Sequence, residues 1–484
     1  MESYKRPPYD LLKMYWPVDC SQEELQATAE TLEKLVSQFL KTQVGVTQII
    51  LGPHVTRYEL EVPRSASLKS LHMRCADIAK ELAVDGGVRI EAPIPGKSAV
   101  GIEVPKGNKS VVGLRELVSS QVFANNKSPL LFSVGMDVGG EPVVCDLEKI
   151  PHLLIAGQTG GEISVGLNSL IVSLLYKSGP EDLRFILVDP NRTEFSKFRG
   201  MPHLLFEKIV TKPIEALNVL EWAKEEMNRR YTLLQKYECC KIAEYNSMPD
   251  VLSGKLHKLP HVVIVIDELA NLMQSLLSRK IESNISTIVA LARATGIHLI
   301  VATRHPSADV ITGYLKANFT SRIAYKVLDE MSSRIIIDMT GAEALTGDGD
   351  MLFFPQDAFV PKRVQGSFVG DDEVELVVDY LKEKYECDFD KEAEKFVSGG
   401  DGDPDGIEAD PILPQVIAYV IKKEQISAAI IQRRFAIGYA RVARIIDYME
   451  EQGFIGPVEA KTPRRIIITR EAFMEIYGKD VDDV

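Results

Sequence analysis

Four apolar runs constrain this chain more than any other feature: HLLIAG from His152, RFILVDP from Arg184, HVVIVIDE from His261 and HLIVATR from His298. Each has the length of a strand, is apolar on both faces and is rich in β-branched residues or leucine. Long helical stretches, such as IEALNVLEWAKEEMNRRYTLLQKY from Ile214, separate them. Near-continuous apolar strands alternating with helices imply a mostly parallel sheet covered on both faces. Such sheets collect ligands at the carboxyl ends of their strands. Two chemically distinctive stretches fall at such ends, a glycine-rich turn at 157–164 and the acidic pair Asp267-Glu268.

The turn reads Gly157, Gln158, Thr159, Gly160, Gly161, Glu162, Ile163, Ser164, and an amphipathic helix follows. A working phosphate-binding loop, G-x-x-x-x-G-K-[ST], needs glycine and then lysine just before the hydroxyl. Its backbone N–H groups cradle the phosphates, the lysine reaches the β and γ oxygens, and the hydroxyl holds magnesium. Here Glu162 and Ile163 stand in the two critical positions, while Gly157, Thr159, Gly160 and Ser164 keep the turn and the metal-ligating hydroxyl. Losing one charge-assisted hydrogen bond costs ~1.5–3 kcal/mol. A carboxylate ~4 Å from a triphosphate adds roughly a few kcal/mol at an effective dielectric near ~20. Together these weaken ATP binding by roughly three orders of magnitude, at about 1.4 kcal/mol per tenfold. The PGKS stretch at 95–98 also invites comparison with such a loop, but Glu91 replaces the first glycine and no helix follows, so it reads as strand–turn–strand.

Residues 1–128 mix helix and strand, with SQEELQATAETLEKLVSQFL at helical spacing, Ser21 as N-cap and Glu24 at the capping-box position. Residues 129–387 carry the strand–helix alternation. Residues 388–410 hold nine Asp/Glu against two Lys/Arg, a net of −7, and read as a flexible acidic tether. The sign then flips, since residues 411–470 hold ten Lys/Arg against five Asp/Glu, a net of +5. LPQVIAYVIKKE, SAAIIQRRF and GYARVARIIDYMEEQG form three helices, and FIGPVEAKTPRRIIIT resembles a β wing. That is a winged-helix pattern, whose third helix enters the major groove. Arg441 and Arg444 share a helix face, while Ile445, Ile446 and Met449 supply the core stripe.

The net charge of −13 argues against a generally basic nucleic-acid coat but not against such a local basic module. The six cysteines, at 20, 75, 145, 239, 240 and 387, form no C-x-x-C pair and read as free thiols of a reducing compartment. The opening MESYKRPPYDLLK lacks the apolar core of a signal peptide, and no apolar run approaches the ~18 residues of a membrane span. The expectation is a cytoplasmic chain without a membrane segment.

Several long stretches, in order, resemble one family. YKRPPYDLL, GPHVTRYEL and RIEAPIPGKSAVGIEVP resemble the alpha domain of FtsK/SpoIIIE-type double-stranded DNA translocases. PHLLIAGQTG, LVDPNRTEFSKFRGMPHLL, VVIVIDELANLM, ARATGIHLIVATRHPSADVITGYLKANFTSRIAYKV and GDGDMLF resemble their RecA-like beta domain, and QRRFAIGYARVARIIDYMEEQG their gamma DNA-reading domain. The resemblance implies a RecA-like P-loop NTPase fold, preceded by a small α+β domain and followed by a winged helix. It further implies ATP and magnesium as cofactors, double-stranded DNA as partner, and a ring, usually a hexamer, that moves chromosomes at cell division. In it Asp267 and Ser164 would hold magnesium and Glu268 would polarise the attacking water. Arg433, Arg434, Ala440, Arg441, Arg444, Asp447, Arg464 and Arg465 would face DNA.

The chain departs from the family around one pocket. The family usually has lysine after DP, where this chain has Asn191, and ATQRPS where it has Arg304-His305. Arg192, Arg199 and Arg304 are candidate replacement cations within the domain, and Arg322 or Arg334 could reach a neighbour's phosphates as a sensor or trans arginine. In the reading helix the family's base-facing Asn, Arg and Glu become Ala440, Arg444 and Asp447. Losing one bidentate reader removes ~1–3 kcal/mol of discrimination. Three readings stay open: an active translocase with an unorthodox loop, a DNA-binding ring that has lost hydrolysis and works beside an intact paralogue, and a nucleotide-independent scaffold. The loop's electrostatics favour the second over the first, and the basic C-terminal unit favours it over the third.

Overall fold

The computed structural model describes residues 4–15, 21–63, 71, 73–84, 87–94, 97, 99–158, 160–275, 277–398, 412–423, 426–435, 437, 442, 445–446, 448–450, 452–456 and 464–483. Near the N-terminus lies a four-stranded antiparallel sheet of β1 (Gly45–Leu51), β2 (Val55–Glu61), β3 (Arg89–Glu91) and β4 (Ala99–Pro105), ordered β1-β2-β4-β3. The helix Gln22–Leu40 begins directly after Ser21, as its sequence predicts, but the Ser21 side chain makes no capping bond. Its buried stripe of Ala29, Leu32 and Val36 shares one core with Tyr58 and Leu60 of β2 and Ile102 of β4. Of PGKS only Lys97 is among the described residues; it lies between β3 and β4, which pair antiparallel.

The large sheet has nine strands, ordered β6-β5-β13-β12-β11-β7-β10-β9-β8. These are β5 (Leu131–Asp137), β6 (Pro142–Asp146), β7 (His152–Ala156), β8 (Leu183–Val188), β9 (His261–Ile266), β10 (Ile297–Thr303), β11 (Arg322–Tyr325), β12 (Asp350–Phe354) and β13 (Lys362–Gly366). The half from β11 to β8 is parallel, as the four apolar runs require, and every residue of β7, β9 and β10 is buried. The other half is antiparallel, so the sheet is mixed: short turns rather than helical crossovers join β5 to β6 and β12 to β13. Two apolar cores, one on each face, hold helices against it. One strand placement controls the site. β10 pairs with β7 on one side and β9 on the other, so whatever follows β10 emerges between the glycine-rich turn and the acidic pair.

Residues 4–15 pack on the large sheet rather than the small one: the Tyr4 hydroxyl donates to Leu175 O at 2.6 Å and that of Tyr176 to Pro8 O at 2.9 Å. The start of the expected acidic tether is also ordered. Lys391–Ser398 is helical and buries Ala393 and Val397 in the core beside the helix Pro213–Lys236. Apolar side chains at helical spacing there outweigh the acidic composition; residues 399–411 lie outside the described ones.

A buried charge network locks the small sheet to the large one. Glu103 accepts from Arg57 at 2.6 Å, Arg89 at 3.2 Å and Arg363 at 3.0 Å, and Arg363 also grips Asp350 at 2.9 and 2.6 Å. Burial alone would raise the Glu103 carboxyl, but Arg89, Arg363 and Arg57 hold it down at about 2.

In the C-terminal unit, helices Leu413–Lys423, Ala428–Phe435 and Arg470–Tyr477 surround a third core. Ile445, Ile446 and Met449 are buried in it, and Ile455 bridges Ile466 antiparallel at the foot of the expected wing.

Candidate functional site

The turn after β7 is anchored from both neighbouring strands. Gly157 N donates to Thr303 O at 3.3 Å, Gln158 N to Lys326 O at 3.0 Å, and Leu328 N to Gln158 Oε1 at 2.5 Å. A Cβ on Gly157 would stand 2.7 Å from Tyr325 Cβ, so the close approach of strand and turn requires glycine. A 16-residue helix, Gly160–Leu175, follows, so strand, glycine turn, hydroxyl and helix are assembled as in a phosphate-binding loop. Thr159 lies outside the described residues, and Gly161 is exposed.

The two substituted positions behave differently. Ile163 is 0% exposed and packs in the core with Ile155 and Leu167. The position that carries the lysine in a working loop therefore turns inward. Glu162 is half-buried, and its Oε1 lies 3.2 Å from where a Cβ on Gly347 would stand, against the loop that precedes β12.

Asp267 and Glu268 end β9 inside the protein, 0% and 2% exposed. Burial pushes the Asp267 carboxyl up to about 6, with Arg304 opposing the rise. Glu268 is held on several sides: Thr303 Oγ1 donates to its Oε1 at 2.6 Å, Ala270 N to the same atom at 3.1 Å, and Arg304 N to its Oε2 at 3.1 Å. It thereby caps the helix Leu269–Met273, which the helix dipole favours.

Arg304 leaves the end of β10 and reaches the centre of the pocket. Its Nη1 and Nη2 both donate to Asp267, each at 3.0 Å, a two-pronged contact. Nη2 also donates to Ser164 Oγ at 2.8 Å and to Glu194 Oε1 at 3.2 Å, and Nη1 lies 3.6 Å from Glu268 Oε2. Burial works against this guanidinium's charge, but the bond to Asp267 and the surrounding carboxylates outweigh it and strengthen its hold on the proton.

The structure thus brings together Ser164, Asp267, Glu268 and Arg304 from the residues named in advance. Other named residues have different surroundings. Arg322 gives four of its donors to the carbonyls of Phe319, Ile336 and Lys316 and to Asp338, a largely structural set within its own domain. Arg334 pairs with Glu330 on its own helix, while Asn191 accepts from Asn271 Nδ2 at 2.8 Å. Arg192 and Arg199 are exposed. Sequence reasoning missed Glu194 and Asp189. Asp189, directly after β8, accepts the N–H groups of Arg192, Glu194 and Phe195 and so folds the loop that delivers Glu194 to Arg304. Its place at a strand's carboxyl end was the available signal. The residues that would hold magnesium, Ser164 and Asp267, do not suit it in this arrangement, because Arg304 engages both.

In the C-terminal unit, Arg433 and Arg434 are exposed on the last turn of Ala428–Phe435, and Arg465 is exposed within the expected wing. Arg464 pairs with Glu450. Ala440, Arg441, Arg444 and Asp447 lie outside the described residues.

Family models match along the chain in the order alpha domain (6–106), FtsK/SpoIIIE family (113–308) and gamma domain (407–469). A DNA translocase FtsK of Caldanaerobacter subterraneus is 43% identical over 478 residues, covering 98% of this chain and 66% of the relative. The DNA translocase SpoIIIE of Bacillus subtilis is 38% identical over 481 residues, covering 98% and 60%. The chain thus spans less than two thirds of the length of these relatives. Among solved structures, the conjugation coupling protein TcpA matches with a TM-score of 0.50 at 23% identity, over 75% of this chain and 99% of that one, a likeness of fold. With matches in this order over nearly its whole length, the chain belongs to the FtsK/SpoIIIE DNA translocase family.

Proposed function

We propose that this chain is a double-stranded-DNA-binding, ring-forming member of its family, linked to chromosome partition in the cytoplasm, whose own pocket is impaired in ATP binding and hydrolysis. The observation that carries the reading is Ile163, packed in the apolar core where a phosphate-binding loop needs a cation. Glu162 adds a carboxylate on the same helical turn. Without the lysine, the backbone N–H groups of the turn can still approach phosphate, but nothing from position 163 neutralises it. Among the described residues the exposed Arg433, Arg434 and Arg465 of the C-terminal unit are available for DNA contact, beside the reading-helix positions Ala440, Arg441, Arg444 and Asp447. Ring formation is supported by Leu328 and Met331, 82% and 73% exposed beside the turn. Apolar side chains so placed suit a contact with the next subunit, either a second copy in a homo-hexamer or an intact paralogue in a mixed ring.

Phosphate release in magnesium-ATP, with and without duplex DNA, tests this reading. The expected result is release at background in both, with salt-dependent DNA binding in gel shifts. DNA-stimulated release that Glu268→Gln abolishes would overturn it. An active translocase with an unorthodox loop is the second reading, favoured by the survival of Ser164, Asp267, Glu268 and one cation in a single pocket.

A further inference from the structure

We infer that Arg304 is the resident cation of this pocket: it occupies the place between the Ser164 hydroxyl and the Asp267 carboxylate that a divalent metal would need. The inference rests on the impaired-pocket reading but on a different residue. Both Nη atoms grip Asp267 at 3.0 Å, and Nη2 adds Ser164 at 2.8 Å and Glu194 at 3.2 Å. Metal ligation by this hydroxyl and carboxylate would require Arg304 to move, because a divalent ion and a guanidinium held against the same oxygens repel each other.

Topology makes this an arrangement of the fold rather than a chance rotamer. β10 runs between β7 and β9, and the two residues at its end are both fixed: Thr303 Oγ1 and the Arg304 N–H each bond Glu268. The side chain then has the carboxylates of Asp267 and Glu194 within bonding distance and that of Glu268 at 3.6 Å. One guanidinium among three carboxylates leaves the pocket anionic, which disfavours a triphosphate. The same contacts tie the helix Gly160–Leu175, the loop after β8 and the ends of β9 and β10 to one another. In a nucleotide-driven motor a bound ligand joins these elements. Arg304 joins the same elements through side-chain bonds that need no nucleotide.

The test separates Arg304 from the loop. Binding of a fluorescent ATP analogue is measured in magnesium and in EDTA for the wild-type chain, for Glu162→Gly/Ile163→Lys, and for that pair combined with Arg304→Gln. The expected result is that only the triple variant gains metal-dependent binding, with affinity at least ~10-fold higher in magnesium, about 1.4 kcal/mol. Equal metal dependence in the double and triple variants overturns the role of Arg304 while leaving the loop reading intact. Absence of metal dependence in a folded triple variant also overturns it. Tight binding by the wild-type chain overturns the loop reading first. A second measurement needs no repaired loop: Mn2+ added to the wild-type chain should give no bound signal by electron paramagnetic resonance. A bound signal that Ser164→Ala or Asp267→Asn removes would refute the inference even if the triple variant fails to fold.

Discussion

Replacing Glu103 by glutamine tests the charge network that fixes the small sheet on the large one. Glu103 is 0% exposed and accepts from three arginines, Arg57, Arg89 and Arg363. Glutamine keeps the shape but removes the charge, leaving three guanidinium groups with Asp350, Glu91 and the more distant Glu59 as their facing carboxylates. Two routes give the magnitude. Breaking a buried pair by neutralising one partner costs about 3–5 kcal/mol. Independently, the carboxyl titrates at about 2 in the fold against 4.5 unfolded, a displacement worth about 3 kcal/mol at roughly 1.36 kcal/mol per unit. Because the folded value is depressed, this stability is present in full above pH 4.5 and is lost as pH falls toward 2. Urea unfolding at pH 7 should therefore show Glu103→Gln less stable by about 3 kcal/mol. The gap should narrow steadily below pH 4.5. A loss under about 1 kcal/mol at pH 7, or a gap that does not change with acid, would refute the reasoning.

Three further outcomes follow from the site and the C-terminal unit. Ile163→Ala should cost about 2–5 kcal/mol in urea unfolding, because it removes most of a fully buried apolar side chain; a neutral result would mean that the side chain does not pack in the core. Asp267 titrates at about 6 against 3.8 unfolded, so its contribution is complete below pH 3.8 and disappears as pH rises through 6. The wild-type chain should gain on Asp267→Asn by about 2 kcal/mol between neutral pH and pH 4, and a change in the opposite direction would contradict that sign. Arg433→Ala/Arg434→Ala should weaken duplex binding and lower the slope of log affinity against log salt by about 2, with the fold unchanged by circular dichroism; an unaltered slope would remove these arginines from the interface.

Much of this protein is written locally. The four apolar runs specify β7 to β10 because a strand buried on both faces needs continuous apolar residues. Gly157 marks a turn that only glycine can enter, and Asp267-Glu268 end a strand where such sheets place their chemistry. Arg304 was legible as one candidate cation among several but not as the one in the pocket, and Glu194 carried no signal of its own. Both depend on strand order, a long-range property that local composition does not encode. Ile163 shows the same division: its sequence position states that the lysine is missing, whereas helix packing decides that the replacement faces the core. The acidic letters of 388–398 suggested a tether, yet Ala393 and Val397 at helical spacing docked it. Glu103 and Arg363, 260 residues apart, meet only because β4 and β13 are brought together. Apolar patterning and turn chemistry are local and determine the elements and the order of motifs. Which charges share a buried space is decided by how those elements pack, and in this pocket that placed an arginine between the hydroxyl and the carboxylate.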